Sequence, residues 1–152
     1  MISEKFKQAI MFISEVLSNA KIKWAVIGST NQALQGMEIT PNDLDLIVSF
    51  DYLKKIPELF KSFSPSPFQK LETTTGMPAW DVKMTLKKVE VQFLGERKEG
   101  LYVKPLLSKK VTHVTVNGLS IPCLALDSEA NAYAKTNREK KAKAILDFLA
   151  KQ

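Results

Sequence analysis

The sequence predicts a single domain of the α+β class, close to α/β in character, with helices packed on a mixed β-sheet and further helices at the C-terminus. Three observations lead to this prediction. The chain has 152 residues, near the usual size of one domain, and a hydrophobic share of 45% is enough for a packed core. Short apolar runs alternate with segments of helical periodicity. We expect a core over about residues 1–96, with a hairpin and helices over about 101–152.

The first half of the chain predicts two helices and two strands. The first helix is amphipathic, because its apolar residues recur every three or four positions. The first strand is wholly apolar, and the second alternates polar with apolar residues before becoming apolar. The expected elements are a helix capped by Ser3 that runs to about Asn19, a strand at Trp24–Ile27, a brief helix at 29–35 ended by Gly36, and a strand at 43–48.

The second half predicts two β-hairpins between helical segments. Asn117-Gly118 is the strongest short-range turn signal in the chain. Pro57 should break or restart a helix, because proline cannot complete the helical hydrogen-bond ladder. The expected elements are an interrupted helix at 52–63, hairpins at 79–86 with 89–94 and at 111–116 with 119–124, and a helical tail at 127–149 broken near Asn137.

The composition excludes several classes of site. Cys123 is the single cysteine, so no internal disulfide framework and no cysteine-built zinc site can form. His113 is the single histidine, which excludes a multi-histidine metal site. The net charge of +6 suits polyanionic partners, but it equally suits a solubilising surface. The sequence starts without a signal-like run and has no long apolar stretch, so we expect a cytoplasmic protein without a membrane span.

Three features of the sequence point to chemistry. Gly28-Ser29 lies between a buried strand and a helix, where a backbone turn can approach a phosphate closely. Asp43 and Asp45 lie two apart on a predicted strand and therefore share a face. Glu90 lies between two valines on a later strand, although Asp81 and Glu96 compete with it as a third acid.

Aligned carboxylates beside a phosphate site favour a divalent cation. Two adjacent carboxylates repel each other, and Mg²⁺ removes that cost by taking hard oxygen ligands from protein and phosphate. Metal-assisted transfer at phosphorus needs these parts. We therefore expect Mg²⁺, or Mn²⁺, at Asp43, Asp45 and Glu90, with phosphate held at Gly28 and Ser29.

At these residues the sequence resembles the nucleotidyltransferase superfamily with the polymerase-beta-like fold. The family signature is a hydrophobic residue followed by Gly and Gly or Ser, then a spacer and an Asp-x-Asp among apolar residues. Here it is Ile27-Gly28-Ser29 followed by Asp43-Leu44-Asp45-Leu46. Glu90 matches the third family acid, and the resemblance covers roughly residues 24–94.

The resemblance is to members of this size, including minimal nucleotidyltransferases and the abortive-infection toxin type of toxin–antitoxin systems. It implies transfer of a nucleoside monophosphate from a nucleoside triphosphate such as ATP to a hydroxyl, with release of pyrophosphate. Asp43 and Asp45 would hold Mg²⁺, and Glu90 would help activate the acceptor. Lys135 is the candidate basic residue that faces the triphosphate.

Other functions remain open at this point. The domain could be a catalytically silent binding or antitoxin module, because fold does not fix function. It could also bind RNA through the basic residues of its tail, Arg138, Lys140, Lys141 and Lys143. The acceptor could be RNA, a protein or a small molecule, and a homodimer or partner subunit could complete its site. Trp80 could stack on a base, although ordinary packing is the simpler interpretation.

Overall fold

The computed structural model describes residues 2–73 and 77–152 as seven strands and seven helices with one short 3₁₀ turn. The first half contains α1 (Glu4–Asn19), β1 (Trp24–Ile27), α2 (Gly28–Leu34), β2 (Leu44–Ser49), α3 (Phe50–Leu53), α4 (Ile56–Leu59), the 3₁₀ turn (Lys61–Phe63) and β3 (Gln69–Leu71). The second half contains β4 (Ala79–Leu86), β5 (Val89–Glu96), α5 (Val103–Leu107), β6 (Val111–Val116), β7 (Leu119–Leu124), α6 (Leu126–Lys135) and α7 (Glu139–Ala150).

All seven strands form one mixed sheet in the order β3-β4-β5-β2-β1-β7-β6. The pairs β2–β5 and β1–β7 are parallel, and the other neighbours are antiparallel. The expected α+β class with a mixed sheet is therefore confirmed. None of the helices in the described ranges is long and apolar enough to cross a membrane.

The two faces of the sheet bury different clusters. The first face packs against α1 and forms the largest apolar cluster, to which β2 contributes Leu44, Leu46 and Val48. The second face is covered in part by α5 and α6, which pack on Ala25, Ile27 and other residues of a smaller cluster. Because successive residues of a strand point to opposite faces, Asp45 lies on this second face.

Most turns form where the sequence predicts them. Asn117 and Gly118 have φ values of 47° and 85°, as a two-residue hairpin turn requires. The break between α6 and α7 falls at Asn137, where φ is 62°. Ser3 occupies the N-cap position of α1, but its side chain makes no capping hydrogen bond, so the predicted side-chain cap is wrong.

Other local predictions differ from the structure. The segment expected as one interrupted helix at 52–63 forms α3, α4 and the 3₁₀ turn, with Pro57 in the first turn of α4. The strand β3 and the helix α5 were not predicted. Both are short, and β3 is largely exposed, so neither has enough periodicity to be recognised from sequence.

Candidate active site

The two aspartates meet at the start of β2. Asp43 is exposed immediately before the strand, and Asp45 is partly buried within it. Thr30, fully buried on α2, donates a hydrogen bond from Oγ1 to the Asp43 carbonyl over 2.8 Å. The helix after β1 therefore fixes the backbone that carries the first aspartate.

The charge of Asp45 is unfavourable without a counter-ion. Burial, and then the neighbouring Asp43 carboxylate, raise the pKa of Asp45 to about 6, against an ordinary value of 3.8. Arg138, Lys141 and Lys83 oppose this shift in that order. The pair is thus negatively charged at neutral pH at an energetic cost, which a bound cation would relieve.

Gly28 supplies space beside Asp45. It lies directly after β1, where Ile27 pairs with Asp45 across the strands. Its φ of 75° falls in the left-handed region, and a Cβ atom built on it would be 3.1 Å from Asp45 Oδ2. A side chain here would be strained and would crowd the carboxylate, so glycine is required on both counts.

The amide of Gly28 is already engaged. Its N–H donates to Glu129 Oε1 over 2.8 Å, and Asn31 Nδ2 donates to the same oxygen over 2.9 Å. The predicted phosphate-binding role of Gly28 thus relies in this conformation on its lack of a side chain rather than on its N–H group. Ser29 follows on the half-buried start of α2.

Glu129 is the residue of this site that sequence reasoning missed. It lies on α6, 101 residues after Gly28, and is fully buried. Burial raises the pKa of its carboxyl, while the bonds from Asn31 and Gly28 lower it. One signal could have identified it: Glu129 lies three residues after Leu126 and four before Tyr133, on the core-facing stripe of the helix.

Glu90 shares a face with the aspartates but is engaged elsewhere. The parallel register places Gln92 directly beside Asp45, and Glu90 is two residues earlier on the same face of β5. Glu90 is exposed, and its Oε1 accepts a hydrogen bond from Thr85 over 2.8 Å. Across residues 2–73 and 77–152, no three Asp, Glu, His or Cys side chains form a group that could hold a metal. The role of Glu90 as a third ligand therefore stays a prediction.

The basic residues of the C-terminal helices fall into two groups. Burial and Asp43 raise the pKa of Asp45, and the charges of Arg138 and Lys141 oppose this rise. Arg138 is held with its guanidinium 4.6 Å from the ring centre of Tyr133, and it reaches the Tyr102 hydroxyl at 3.5 Å. Lys135, the residue expected to face the triphosphate, instead lines a cavity of about 440 Å³ between α5 and α6. Its role in nucleotide binding stays a prediction.

The remaining candidate residues have structural partners. Trp80 lies on the opposite face of the sheet, where it packs on Phe50 at 4.1 Å between ring centres. Asp81 is fully buried and accepts hydrogen bonds from Gln69 and Gln92. Glu96 accepts the Tyr102 and Val103 amides at the start of α5. His113 is exposed and Cys123 is buried in the core.

The donor set at β2 fits a hard divalent cation. Burial, and then the neighbouring Asp43 carboxylate, raise the pKa of Asp45, and both carboxylates offer oxygen ligands. Mg²⁺ is commonly held by one or two carboxylates together with substrate phosphates and water. Asp43 and Asp45 therefore provide as many carboxylate ligands as a Mg²⁺ site commonly takes from the protein.

Comparisons with known proteins identify the family and the fold of the chain. A family model described as aminoglycoside-2''-adenylyltransferase matches residues 9–148. The crystal structure of a presumed nucleotidyltransferase from Thermotoga maritima (TM1012) aligns with a TM-score of 0.73 and 24% identity, over 100% of this chain and 97% of that chain. No functionally curated sequence matches significantly.

Two structures of the antibiotic-resistance factor ANT(2'')-Ia also share the fold. The crystal structure in complex with adenylyl-2''-tobramycin aligns with a TM-score of 0.56 and 7% identity, over 93% of this chain and 90% of that chain. The solution structure aligns with a TM-score of 0.55 at 7% identity, over 93% and 84%. At such low identity these likenesses show the fold alone. Because the family model spans residues 9–148, the chain belongs to the aminoglycoside-2''-adenylyltransferase family of the nucleotidyltransferase superfamily.

Proposed function

We propose that the protein is a Mg²⁺-dependent nucleotidyltransferase, which moves a nucleoside monophosphate from a nucleoside triphosphate such as ATP to a hydroxyl acceptor. One observation carries the proposal: the left-handed Gly28 turn lies against Asp45, beside a carboxylate pair whose charge is unfavourable without a cation. The family assignment supports the same reaction class.

The residues of the chain have distinct roles in this reaction. Asp43 and Asp45 would hold Mg²⁺, which when bound neutralises charge on the phosphate oxygens. Gly28 leaves room for the triphosphate, with Ser29 as a hydroxyl donor, and Arg138 and Lys141 attract its negative charge.

The acceptor oxygen forms a bond to the α-phosphorus as the bond to pyrophosphate breaks. The acceptor proton needs a base, and Glu90 is the exposed carboxylate on the same sheet face as Asp45. To act in this way Glu90 must exchange its hydrogen bond with Thr85 for one with the acceptor.

The charges around the site favour anionic ligands. Arg138 and Lys141 line a surface cavity of about 480 Å³ together with Asn137, Glu139 and Lys140. Three cations and one carboxylate repel a polycation and attract an anion. Because Arg138 and Lys141 are assigned to the triphosphate, RNA, a protein and a small molecule all stay candidate acceptors.

Transfer of radiolabel tests the reaction. The protein is incubated with each α-labelled triphosphate, Mg²⁺ or Mn²⁺, and separate acceptors: an oligoribonucleotide, a protein mixture, a sugar phosphate and tobramycin. The proposal predicts metal-dependent transfer that Asp43→Ala abolishes without loss of the fold, and Asp127→Ala, on the exposed start of α6, serves as a control. Equal transfer by wild type and Asp43→Ala would overturn the reaction, and the acceptor that takes the label identifies the acceptor class.

A catalytically silent binding module is the second candidate. The observation that favours it is that the residue directly beside Asp45 on β5 is the amide Gln92 rather than an acid. This candidate predicts binding of a partner without any transfer from a triphosphate. It also predicts that Glu90→Gln leaves binding of the partner unchanged, whereas the enzyme would lose transfer with this substitution.

A further inference from the structure

The buried carboxylate of Glu129 connects α6 to the glycine turn. Its Oε1 accepts from the Gly28 N–H over 2.8 Å and from Asn31 Nδ2 over 2.9 Å. Its second oxygen, Oε2, is buried and has no hydrogen-bond partner among the described residues. Asn31 is itself anchored, because the same amide nitrogen reaches the Leu124 carbonyl at 3.0 Å.

Burying the Glu129 carboxylate lowers the stability of the fold, so packing alone does not account for it. A buried carboxylate loses its hydration, and only part of that cost is regained through two hydrogen bonds at one oxygen. An apolar residue at this position would fill the space more cheaply. The two bonds that Glu129 does accept both come from α2, one from its first residue, Gly28, and one from Asn31.

The bond from the Gly28 N–H fixes the backbone conformation of Gly28, which lies beside Asp45. The Gly28 N–H belongs to a residue with a left-handed φ of 75°, and a Cβ atom built on this residue would lie 3.1 Å from Asp45 Oδ2. A fixed acceptor for that N–H restricts rotation of the peptide group and so keeps the turn in one orientation.

We infer that Glu129 is a positioning residue, which holds the Gly28 turn against Asp45 and thereby makes nucleotide affinity depend on the docking of α6. The part of this inference that concerns nucleotide rests on the proposed function. The hydrogen-bond clamp, meaning the two bonds that Glu129 accepts from Gly28 and Asn31, does not depend on the proposed function. No covalent bond is made or broken when Glu129 acts in this way.

The chain offers a matched control for a purely structural role. Gln32 Nε2 donates to the Tyr133 hydroxyl over 2.9 Å, which is a second buried bond between α2 and α6. It does not contact Gly28. If Glu129 only tied the two helices together, loss of either bond would have the same effect on the site.

The test compares Glu129→Gln, Glu129→Asp and Glu129→Ala with Gln32→Ala. Gln keeps a carbonyl that can accept the Gly28 N–H, whereas Asp is one methylene shorter and Ala has no acceptor. The first measurement is hydrogen exchange of the Gly28 amide by NMR. The second is the affinity for a non-hydrolysable ATP analogue with Mg²⁺, by calorimetry.

We expect slow Gly28 exchange and near wild-type affinity in Glu129→Gln and Gln32→Ala. Glu129→Asp and Glu129→Ala should exchange at least roughly tenfold faster and bind the analogue roughly tenfold more weakly. If Glu129→Ala does not fold, the comparison of the Asp and Gln variants decides. Unchanged Gly28 exchange in Glu129→Asp would overturn the clamp, and faster exchange with unchanged affinity would overturn its effect on the nucleotide.

Failure of the proposed function has a different signature. If the wild type does not bind the analogue at all, the nucleotide site is wrong, and so is the part of the inference that concerns affinity. The Gly28 exchange rates still decide whether Glu129 holds the turn.

Discussion

The two faces of the sheet carry different kinds of side chain, although the same strands form both. On β2, Leu44, Leu46 and Val48 are fully buried against the α1 side, whereas Asp45 between them carries a charge on the other side. The first face is closed by apolar packing. The second packs a smaller apolar cluster beside polar contacts with segments far away in sequence, and it carries the candidate site.

The largest expected effect is on the packing face. Phe60 is almost fully buried, and its ring centre is 5.3 Å from that of Phe93. Truncation in Phe60→Ala should lower the free energy of unfolding by about 3 to 5 kcal/mol, because it leaves a cavity. Urea denaturation measures this change. A loss below about 1 kcal/mol would mean that this face is not a close-packed core.

On the site face, removal of a charge should stabilise the protein. The folded pKa of Asp45 of about 6 lies above its ordinary value of 3.8, so the folded state binds the proton more tightly than the unfolded state does. The resulting stabilisation is fully present below pH 3.8 and is lost as pH rises through about 6. Ionised Asp45 therefore costs up to about 3 kcal/mol at neutral pH.

Asp45→Asn should recover much of that cost when no divalent ion is present. We expect a higher free energy of unfolding for the variant above pH 6, and little difference from the wild type near pH 4. Denaturation across this pH range provides the measurement. A variant that is less stable than the wild type at pH 7 would contradict the unfavourable charge of Asp45.

Alanine variants of two left-handed glycines distinguish backbone strain from crowding at the site. Gly28 and Gly118 have φ values of 75° and 85°, but a Cβ atom would meet a neighbour, Asp45, only at Gly28. Each alanine variant should lose about 1 to 2 kcal/mol through backbone strain. Gly28→Ala alone should also lose binding of the Mg²⁺–ATP analogue. Equal binding by both variants would show that the space beside Asp45 is not used.

The smallest expected effect distinguishes the two basic groups of the tail. The charge of Arg138 opposes the rise in the pKa of Asp45, whereas Lys135 lines the cavity between α5 and α6. Arg138→Gln should weaken binding of the ATP analogue by a few fold, and more at low salt, because a partly exposed charge is screened. Lys135→Gln in the same titration separately tests the predicted nucleotide-binding role of Lys135. An effect of Lys135→Gln alone would make Lys135 the triphosphate ligand in place of Arg138.

Much of the site could be predicted from local sequence. Gly28-Ser29 follows an apolar run, and Asp43 and Asp45 fall on one side of a strand, so short-range periodicity and turn chemistry are sufficient to recognise them. The family assignment confirmed the superfamily that these residues predicted.

The contacts that hold the site could not be predicted in this way. Glu129 is 101 residues from Gly28 and reads as an ordinary acid near the start of a helix. The position of Gln92 beside Asp45 depends on the register of a parallel pair, which no turn sets locally. Long-range register and helix docking are determined by the whole core rather than by a motif.

The most direct test of the central claim is the thermal unfolding of the wild type and Asp45→Asn with the ATP analogue, each with and without Mg²⁺. A metal-dependent nucleotide site predicts that the analogue with Mg²⁺ raises the Tm of the wild type, while the analogue alone has little effect and the variant responds to neither. The same increase in Asp45→Asn, or an increase in the wild type that does not require Mg²⁺, would contradict the account.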